Sequence, residues 1–281
     1  MASRMLKFTE IDRTMPEKRA AETRRSDFQE IYGDYAREVA EDQAARCSQC
    51  GVPFCQQGCP LSNNIPDWLK LAAEDRMEEA YQVSQATNNM PEICGRICPQ
   101  DRLCEGICTV EQSGHGTVTI GAMERYITDN AWEQGWVTPI KPPREREQSA
   151  GIIGAGPGGL AAAEQLRRKG YQVTVYDRYD RGGGLLMYGI PGFKLEKDIV
   201  ERRIKRLEDS GITFKYNAGI GEAHSLADLR DEHDTLLIAT GVYKARDLMV
   251  PGAGCEGVHK ALDFLTASNR KGLGDDVPDF E

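Results

Sequence analysis

The cysteines constrain this chain more than any other feature, because eight of the nine lie between Cys47 and Cys108. They form two groups, with the patterns C-x2-C-x4-C-x3-C-P and C-x3-C-P-x4-C-x3-C. Thiolates at such spacing can surround a metal cluster from a loop while a distant cysteine completes the shell. In a reducing compartment, where structural disulfides do not persist, this clustering indicates metal or redox chemistry. The candidate ligands are Cys47, Cys50, Cys55, Cys59, Cys94, Cys98, Cys104 and Cys108.

A proline directly follows Cys59 in the first group and Cys98 in the second. In two-cluster ferredoxins, the cysteine before a proline typically ligates a different cluster from its sequence neighbours. We therefore expect Cys59 to leave its own group and join the second, and Cys108 to return to the first.

Two other interpretations of the cysteines stay open. Zinc could use the same thiolates, and Cys47-x2-Cys50 alone would suit zinc equally. The remaining gaps fit paired zinc knuckles poorly, so the spacing favours iron–sulfur clusters. A disulfide scaffold is disfavoured, because no signal peptide is visible and a nucleotide-binding pattern follows. Cys255 has no cysteine nearby and is interpreted as a buried structural thiol, and the four histidines as surface or structural residues.

The first part of the chain is predicted to be helical. Within residues 1–46, apolar side chains recur at three- and four-residue spacing from Phe28 to Val39, with charges between them. Asn64 can cap a helix that continues through Leu71, and further helices are expected over 77–86 and 119–132. The segment 138–148, TPIKPPREREQ, combines three prolines with five charges. Such a segment is typical of a linker between domains.

Beyond the linker, strand and helix patterns alternate. Strands are expected to end at Ile153 and to cover 171–176 and 235–239, with helices over 157–169 and 196–210. Such alternation predicts a parallel sheet with helices on its faces. We therefore predict an α-helical, ferredoxin-like iron–sulfur domain over residues 1–140, followed by an α/β Rossmann-type domain over 149–281.

The second domain carries a dinucleotide fingerprint, Gly154-x-Gly156-x-x-Gly159, between a predicted strand and a predicted helix. The first glycine permits a tight turn, the second lets the backbone approach a pyrophosphate, and the third lets helix and strand pack closely. Asp177 follows the middle glycine by 21 residues, where a ribose-binding carboxylate belongs. A glycine-rich turn without a ligand is the simpler alternative.

FAD and NAD share this fingerprint, and two later segments favour FAD. These are 181–191, RGGGLLMYGIP, and 239–241, ATG, which has small residues at the carboxyl end of a predicted strand. No second fingerprint opens a later helix before Glu281, although a flavoenzyme with two dinucleotides needs one for its nicotinamide cofactor. The candidate cofactor-binding residues are Gly154, Gly156, Pro157, Gly158, Gly159, Asp177, Arg178, Gly184, Leu185, Tyr188, Ala239, Thr240 and Gly241.

The charge and the hydropathy exclude several classes of partner. The formal net charge of −9 makes a nucleic-acid or anionic membrane surface unfavourable. The longest weakly polar stretch, Ala150–Ala163, is rich in glycine and too short to span a bilayer. We therefore expect a cytoplasmic protein that binds neither nucleic acid nor membrane.

Taken together, these motifs resemble the small (β) subunit of bacterial NADPH-dependent glutamate synthase over essentially the whole chain. The resemblance is carried by MPEKRAAETRRSDFQEIY, RCSQCGVPFC, SNNIPDWLKL, QATNNMPEICGRICPQDRLCEGIC, VYDRYDRGGGLLMYGIPGFKLEK and ATGVYKARD. The chain also resembles, more distantly, the electron-input regions of dihydropyrimidine dehydrogenase and of bifurcating transhydrogenases.

The resemblance implies an electron-entry subunit. NADPH would reduce FAD, and two 4Fe–4S clusters would pass electrons to a large (α) subunit that makes glutamate from glutamine and 2-oxoglutarate. No acid–base residue is needed for hydride transfer, so no catalytic side chain is named. A transhydrogenase input subunit and a non-enzymatic iron–sulfur docking module are the competing functions.

The resemblance also implies the cluster ligands. It places Cys47, Cys50, Cys55 and Cys108 on one cluster, and Cys59, Cys98 and Cys104 on the other. Relatives complete the second cluster with Gln or Glu from a following helix. Glu124, sixteen residues past Cys108, occupies the matching position, and Cys94 competes with it. The family continues with an NADPH-binding unit, so the Rossmann-type domain is expected to be incomplete here and the NADPH site to lie in the missing part.

Overall fold

The computed structural model describes residues 4–221, 224–246 and 248–278. The chain divides into two compact units, residues 1–138 and residues 139–281. The first unit is built from helices, and the second contains a parallel sheet with helices. The predicted fold class, a helical domain followed by an α/β domain, is therefore confirmed. Within the described residues, no helix is long and apolar enough to cross a membrane.

The helices of the first unit are short and are connected by loops that hold most of the cysteines. A 3-10 turn at Lys7–Thr9 precedes them, and another lies at Gln100–Arg102. The helices are α1 Ala21–Asp27, α2 Arg37–Ala45, α3 Phe54–Gly58, α4 Ile65–Ala73, α5 Met77–Thr87, α6 Pro91–Ile97, α7 Thr109–Gln112 and α8 Ile120–Glu133.

The core of this unit lies between α2, α4, α5 and α8. Trp68 and Leu69 of α4 are fully buried, as are Tyr81 of α5 and Met123 and Ile127 of α8. In α4 the buried side chains recur at three- and four-residue spacing, so that one stripe of the helix faces the core. Burial of this apolar stripe, rather than helix propensity alone, stabilises such short helices.

The helical structure predicted for residues 1–46 is wrong for most of the described part of that stretch, in which only α1 and α2 are α-helical. Phe28 ends α1 in a left-handed conformation, with φ of 54°, and its ring is 64% exposed. Tyr32 then forms an isolated antiparallel bridge with Lys18. Helix α2 starts only at Arg37, so tertiary pairing overrides the local periodicity here.

The other helices predicted for this unit are confirmed at α4, α5 and α8. Asn64 lies at the N-cap position of α4, but its side chain makes no capping hydrogen bond. Its Oδ1 instead accepts a hydrogen bond from Gln56 Nε2 at 2.9 Å, which ties α3 to the start of α4. The sequence pattern therefore predicted the position of the N-cap correctly, but the capping hydrogen bond expected from the Asn64 side chain is absent.

The second unit is organised around a four-stranded parallel sheet of order β3-β2-β1-β4. The strands are β1 Ser149–Ile153, β2 Gln172–Tyr176, β3 Thr213–Lys215 and β4 Thr235–Ile238. In register, Ile153 pairs with Tyr176 of β2 and with Ile238 of β4. The carboxyl ends of the three longer strands therefore meet at one edge of the sheet, where ligands of such folds bind.

Helices flank the strands of this sheet. They are α9 Pro157–Arg168, α10 Leu185–Tyr188, α11 Lys197–Asp209, α12 Leu226–Glu232 and α13 Ala261–Gly272. The predicted strands that end at Ile153 or cover 171–176 and 235–239 correspond to β1, β2 and β4, and the helices predicted over 157–169 and 196–210 correspond to α9 and α11. Helix α13, with twelve residues, was not predicted. The shorter elements β3, α10 and α12 were also missed, because each has too few residues to show a clear period.

Candidate functional site

The first thiol group forms where α2 ends. Cys47 follows that helix, Cys50 lies in the next loop, Cys55 lies in α3, and Cys108 directly precedes α7. Burial raises the pKa of the Cys55 thiol to about 12, with further contributions from Cys47, Cys108 and Cys50. Burial likewise raises the pKa of Cys47 to about 11, and Cys108 and Cys50 add to that increase. These four thiols are therefore close enough to repel one another as anions.

The second thiol group lies between α3, α6 and the loop before α7. The Cys94 and Cys98 thiols interact with each other, which raises the pKa of Cys94 and lowers that of Cys98. Nearby Glu124, Cys104 and Cys59 oppose ionisation of Cys98. Burial raises the pKa of Cys104, and Glu105, Glu124 and Cys59 raise it further. The structure thus brings Cys59 beside Cys98 and Cys104.

The two groups exchange members relative to the order of the sequence. Cys59 lies with the later cysteines and Cys108 lies with the earlier ones, as the prolines after Cys59 and Cys98 indicate. This exchange links the segments 47–59 and 94–108, because each thiol group contains a cysteine from the other segment. Ligation by these thiols stays a prediction.

Glu124 of α8 projects into the second group as a buried carboxyl. Its Oε1 accepts hydrogen bonds from Asn88 Nδ2 at 3.0 Å and from Asn63 Nδ2 at 3.3 Å. Burial raises the pKa of Glu124 well above its usual range, and nearby Cys94 contributes to the increase. Asn63 Oδ1 in turn accepts from Trp68 Nε1 at 3.2 Å, so the core of the unit fixes the carboxyl.

Close packing between α6 and α8 places Cys94 next to Glu124. Gly95 permits this approach, because a Cβ atom there would lie 2.6 Å from the backbone nitrogen of Arg125. Asn88 links the two side chains, since its Oδ1 lies 3.7 Å from Cys94 Sγ while its amide donates to Glu124. Both candidates for the last ligand of the second group therefore lie at the same place.

The two groups offer sulfur donors, and Glu124 adds an oxygen donor to the second group. Within residues 4–221, 224–246 and 248–278, no group of three or more His, Cys, Asp or Glu side chains is arranged to hold a single metal ion. A mononuclear zinc site needs thiolate sulfurs about 2.3 Å from one point. A 4Fe–4S cluster distributes its four thiolates over four iron atoms.

The glycine loop of the second unit has the geometry that its fingerprint predicts. Gly154 has φ of 114°, and a Cβ atom there would overlap with the carbonyl of Ala239. A Cβ atom on Gly159 would overlap with the carbonyl oxygen of Gly154, so this glycine lets α9 pack on β1. At Gly156 the nearest atom to such a Cβ is Gly184 Cα at 4.0 Å, which leaves room for a ligand.

Asp177 lies at the end of β2 and is buried. Its Oδ2 accepts a hydrogen bond from the backbone nitrogen of Ala155 at 2.6 Å, and its Oδ1 accepts from that of Tyr179 at 2.9 Å. The carboxylate therefore stands against the glycine loop, where it can accept hydrogen bonds from a ribose.

A cleft of about 350 Å³ opens at this edge of the sheet, within the size range of small-molecule sites. Arg178 lies over the ring of Tyr243, with 4.2 Å between the guanidinium carbon and the ring centroid. Five predicted site residues line the cleft, namely Gly154, Asp177, Arg178, Thr240 and Gly241, together with Ile153, Tyr176, Tyr179, Ala218, Gly219, Ile220 and Tyr243.

The remaining predicted residues flank the glycine loop rather than the cleft. Pro157 and Gly158 lie in the first turn of α9, and Ala239 N donates to Ile153 O at 2.8 Å. A Cβ atom on Gly184 would lie 2.7 Å from Gly156 Cα, so the start of α10 closely approaches the loop. In α10, Leu185 is 38% exposed, whereas Tyr188 is buried and its hydroxyl is hydrogen-bonded to Asp180.

Sequence reasoning missed the residues that follow β3. Ala218, Gly219 and Ile220 reach the cleft because the chain turns back after a three-residue strand, which has no recognisable pattern. Tyr243 could have been noticed as an aromatic residue close behind Thr240-Gly241. Cys255 was predicted to be buried, and this is wrong, because the residue is exposed.

Comparison with known proteins identifies two matching family models. Residues 24–136 match the model described as dihydropyrimidine dehydrogenase domain II, 4Fe–4S cluster. Residues 149–272 match the model described as pyridine nucleotide-disulphide oxidoreductase. The helical unit is thus similar to iron–sulfur domains, and the α/β unit to dinucleotide-dependent oxidoreductases.

Individual relatives match nearly the whole chain. It is 63% identical to the glutamate synthase (NADPH) small chain of Azospirillum brasilense over 278 residues, which are 99% of this chain and 58% of that protein. It is 66% identical to a putative small chain from Cereibacter sphaeroides, over 75% of this chain and 51% of that protein. The small chain of Escherichia coli is 42% identical over 98% and 58% of the two chains. This chain therefore spans little more than half the length of these relatives.

Proposed function

Because this chain is a relative of the glutamate synthase (NADPH) small chains, we propose that it is the electron-entry part of such an enzyme. Electrons from NADPH would pass through FAD and two 4Fe–4S clusters to a large subunit, which makes glutamate from glutamine and 2-oxoglutarate. One observation carries this proposal. Eight thiols of the helical unit lie in two groups, and the α/β unit of the same chain has a glycine loop and a carboxylate that suit a dinucleotide.

The bound groups would supply the redox chemistry, since a flavin accepts a hydride and iron–sulfur clusters carry single electrons. The thiols fix where the clusters are held. Cys47, Cys50, Cys55 and Cys108 would hold the first, and Cys59, Cys98 and Cys104 the second. Cys47 and Cys108 are buried and the other six thiols are partly buried, so the protein would lower the polarity around the clusters and thereby tune their potentials.

The last ligand of the second cluster is proposed to be Glu124. Its carboxyl is buried among the thiols and is oriented by Asn63 and Asn88. The pKa of the metal-free carboxyl is raised by burial, so a proton would leave as the cluster binds. Cys94 is the alternative ligand at the same place, and the variants Glu124→Ala and Cys94→Ala distinguish them by which one loses iron.

In the second unit, the glycine loop and α9 would bind the pyrophosphate of FAD through backbone N–H groups. Asp177 would accept hydrogen bonds from the ribose, and Arg178 and Tyr243 would flank the adenosine end in the cleft. The sequence contains no second fingerprint of this kind. We propose that NADPH binds to a part of the relatives' length that this chain does not span.

Anaerobic analysis of iron, acid-labile sulfide and flavin on one purified sample tests the function. The proposal predicts about eight irons, about eight sulfides and one FAD for each chain. The visible spectrum should combine flavin bands with broad iron–sulfur absorption, both of which bleach on reduction. Zinc in place of iron contradicts the electron-transfer function, and iron without flavin supports a docking module instead.

A further inference from the structure

Helix α13 lies against α10 without the broad buried stripe that holds α4 in the first unit. Within α13, all of which the structure describes, Asn269 is the only buried residue. Phe264 is 54% exposed, and Leu262 and Leu265 are partly buried. Because a short helix depends on burial of an apolar face for its place in a fold, polar contacts must contribute much of what holds α13.

The first of these polar contacts comes from Asn269. Its Nδ2 donates a hydrogen bond to the carbonyl oxygen of Tyr188, the last residue of α10, at 3.0 Å. Carbonyl groups at a helix end have no partner within the helix and need one from outside it. The same Nδ2 donates to Leu265 O at 2.8 Å, so the amide is fixed between the two helices.

Ion pairs join the residues after α13 to the loop before α10. Asp275 Oδ2 and Oδ1 accept hydrogen bonds from the two terminal nitrogens of Arg181, at 2.9 and 2.7 Å. The same Oδ2 also accepts from Arg270 Nε at 3.2 Å. Asp180 accepts from Arg181 at 2.9 Å and from the hydroxyl of Tyr188. We call this set of side chains the α13 clasp, and it consists of Asp180, Arg181, Tyr188, Asn269, Arg270 and Asp275.

The segment 181–188, which the clasp holds, also contacts the glycine loop. Gly183 N donates to Ala155 O at 2.8 Å, and a Cβ atom on Gly184 would lie 2.7 Å from Gly156 Cα. Helix α10 begins directly after Gly184. Movement of α10 away from α13 would therefore disturb the loop that is proposed to bind the pyrophosphate.

We propose that the α13 clasp positions segment 181–188 against the glycine loop, and that its opening controls how fast FAD leaves the second unit. This inference rests on the proposed function, which assigns FAD to the glycine loop. Asn269 and Asp275 are not among the described residues that line the cleft, so they are positioning residues that act through the segment. The side chains of Arg181, Arg270 and Asp275 are 31%, 38% and 14% exposed, so the ion pairs can open without unfolding of the sheet. A ligand that binds only the closed form leaves more easily when that form is less populated.

The test is the rate at which FAD dissociates from the 281-residue chain, followed by flavin fluorescence after dilution. Asp275→Asn removes the charge while keeping the size of the side chain and one acceptor oxygen. Dissociation should become about fivefold faster, because a partly exposed bidentate pair contributes moderately and Lys197 also holds α10 through Leu186 O. Asp275→Glu keeps the carboxylate, and its rate should lie closer to that of the wild type.

Two controls separate the clasp from a general effect on α13. Asp263→Asn makes the same chemical change in the exposed first turn of this helix and should leave the dissociation rate unchanged. Added salt should speed dissociation from the wild-type chain more than from Asp275→Asn, since salt screens the ion pair that this variant lacks. An equal salt effect on both chains, or an Asp263→Asn variant that loses FAD as fast as Asp275→Asn, overturns the inference.

Hydrogen exchange on the flavin-free chain tests the coupling between the clasp and the segment directly. Tyr188 N is bonded to Gly184 O at 3.0 Å, so its exchange reports the opening of α10. In Asp275→Asn, exchange should become faster in 183–189 as well as in α13, and stay unchanged in 149–168. Faster exchange in α13 alone, or equally faster exchange in 149–168, overturns the inference.

The outcomes also separate this inference from the proposed function. A wild-type chain that binds no FAD contradicts the proposed function, and the inference with it. FAD binding with the same dissociation rate in the wild type and in Asp275→Asn contradicts only the inference.

Discussion

The two units build their candidate sites in different ways. In the α/β unit, the glycine loop between β1 and α9 and Asp177 directly after β2 come from one short stretch of chain, and residues after β3 and β4 complete the cleft. In the helical unit, each thiol group combines residues from distant loops, and Cys59 and Cys108 exchange places. A local site can be disabled by one backbone clash, whereas a site assembled from several loops depends on the core that positions them.

The largest effect is expected from removing a thiol. Cys50→Ser should lose the first cluster and Cys104→Ser the second, because serine is a poor substitute for a thiolate ligand of iron. Iron content should fall by about half in each variant, as measured by metal analysis after anaerobic loading. Cys255→Ser is the control and should keep all its iron, since Cys255 is exposed and belongs to the other unit. Full iron content in both cysteine variants would contradict the assignment.

A backbone clash in the glycine loop should remove the flavin and spare the iron. In Gly159→Ala the new methyl group would overlap with the carbonyl oxygen of Gly154, which forces α9 away from β1. We expect FAD affinity to fall by at least about tenfold, as measured by flavin fluorescence. Gly272→Ala, at the end of α13, is the control, because a Cβ atom there meets nothing within 4 Å. Equal flavin binding by the two variants would show that the loop does not hold the cofactor.

A substitution in the core of the helical unit tests whether this unit can be destabilised without the α/β unit. Trp68 is fully buried and its indole donates to Asn63, which holds Glu124. Trp68→Ala should reduce the stability of this unit by about 3–5 kcal/mol and lower the iron content of the second group. Hydrogen exchange measured separately for residues 4–138 and 139–278 reports the effect. Equal loss of protection in both ranges would show that the units do not unfold independently.

A smaller effect is expected from pH in the α/β unit. The ammonium of Lys197 donates to Leu186 O and Ile190 O, and burial lowers its pKa to about 8. Between that value and the ordinary value of 10.5, the unfolded chain binds more protons than the folded chain, so this group adds stability as pH rises. Because Lys197 is partly exposed, the gain should be about 1 kcal/mol.

The control for this pH effect is Lys197→Met, in which the contribution disappears. The unfolding free energy of the wild type and of Lys197→Met is measured by urea unfolding at pH 8 and at pH 10. The contribution of Lys197 is the increase from pH 8 to pH 10 in the wild type minus the same increase in the variant. A difference of the opposite sign would contradict the burial of a charged ammonium.

Sequence reasoning succeeded where a short segment decides the structure. The fingerprint from Gly154 to Gly159 predicted a strand, a turn and a helix. This succeeded because Gly154 and Gly159 are needed where a side chain would overlap with nearby backbone atoms. The proline after Cys59 predicted that this cysteine joins the second group, and Cys59 lies near Cys98 and Cys104; its role as a ligand there stays a prediction.

Sequence reasoning failed where contacts between residues distant in the sequence determine the structure. The pattern from Phe28 onward resembles a helix, yet the chain there pairs Tyr32 with Lys18 and turns at Phe28. Nothing local could show that Asn88 and Asn63, which come from separate loops, both donate to Glu124. The residues of the cleft after β3 were missed for the same reason, because a three-residue strand acquires its place only from β2.

The most direct test of the central claim is Mössbauer spectroscopy of the anaerobically loaded chain, compared with Cys50→Ser and Cys104→Ser. The account predicts that the iron of the wild-type chain is present as two 4Fe–4S clusters, and that each variant keeps one of them. Iron present only as single ions, or variants that retain both clusters, would contradict it.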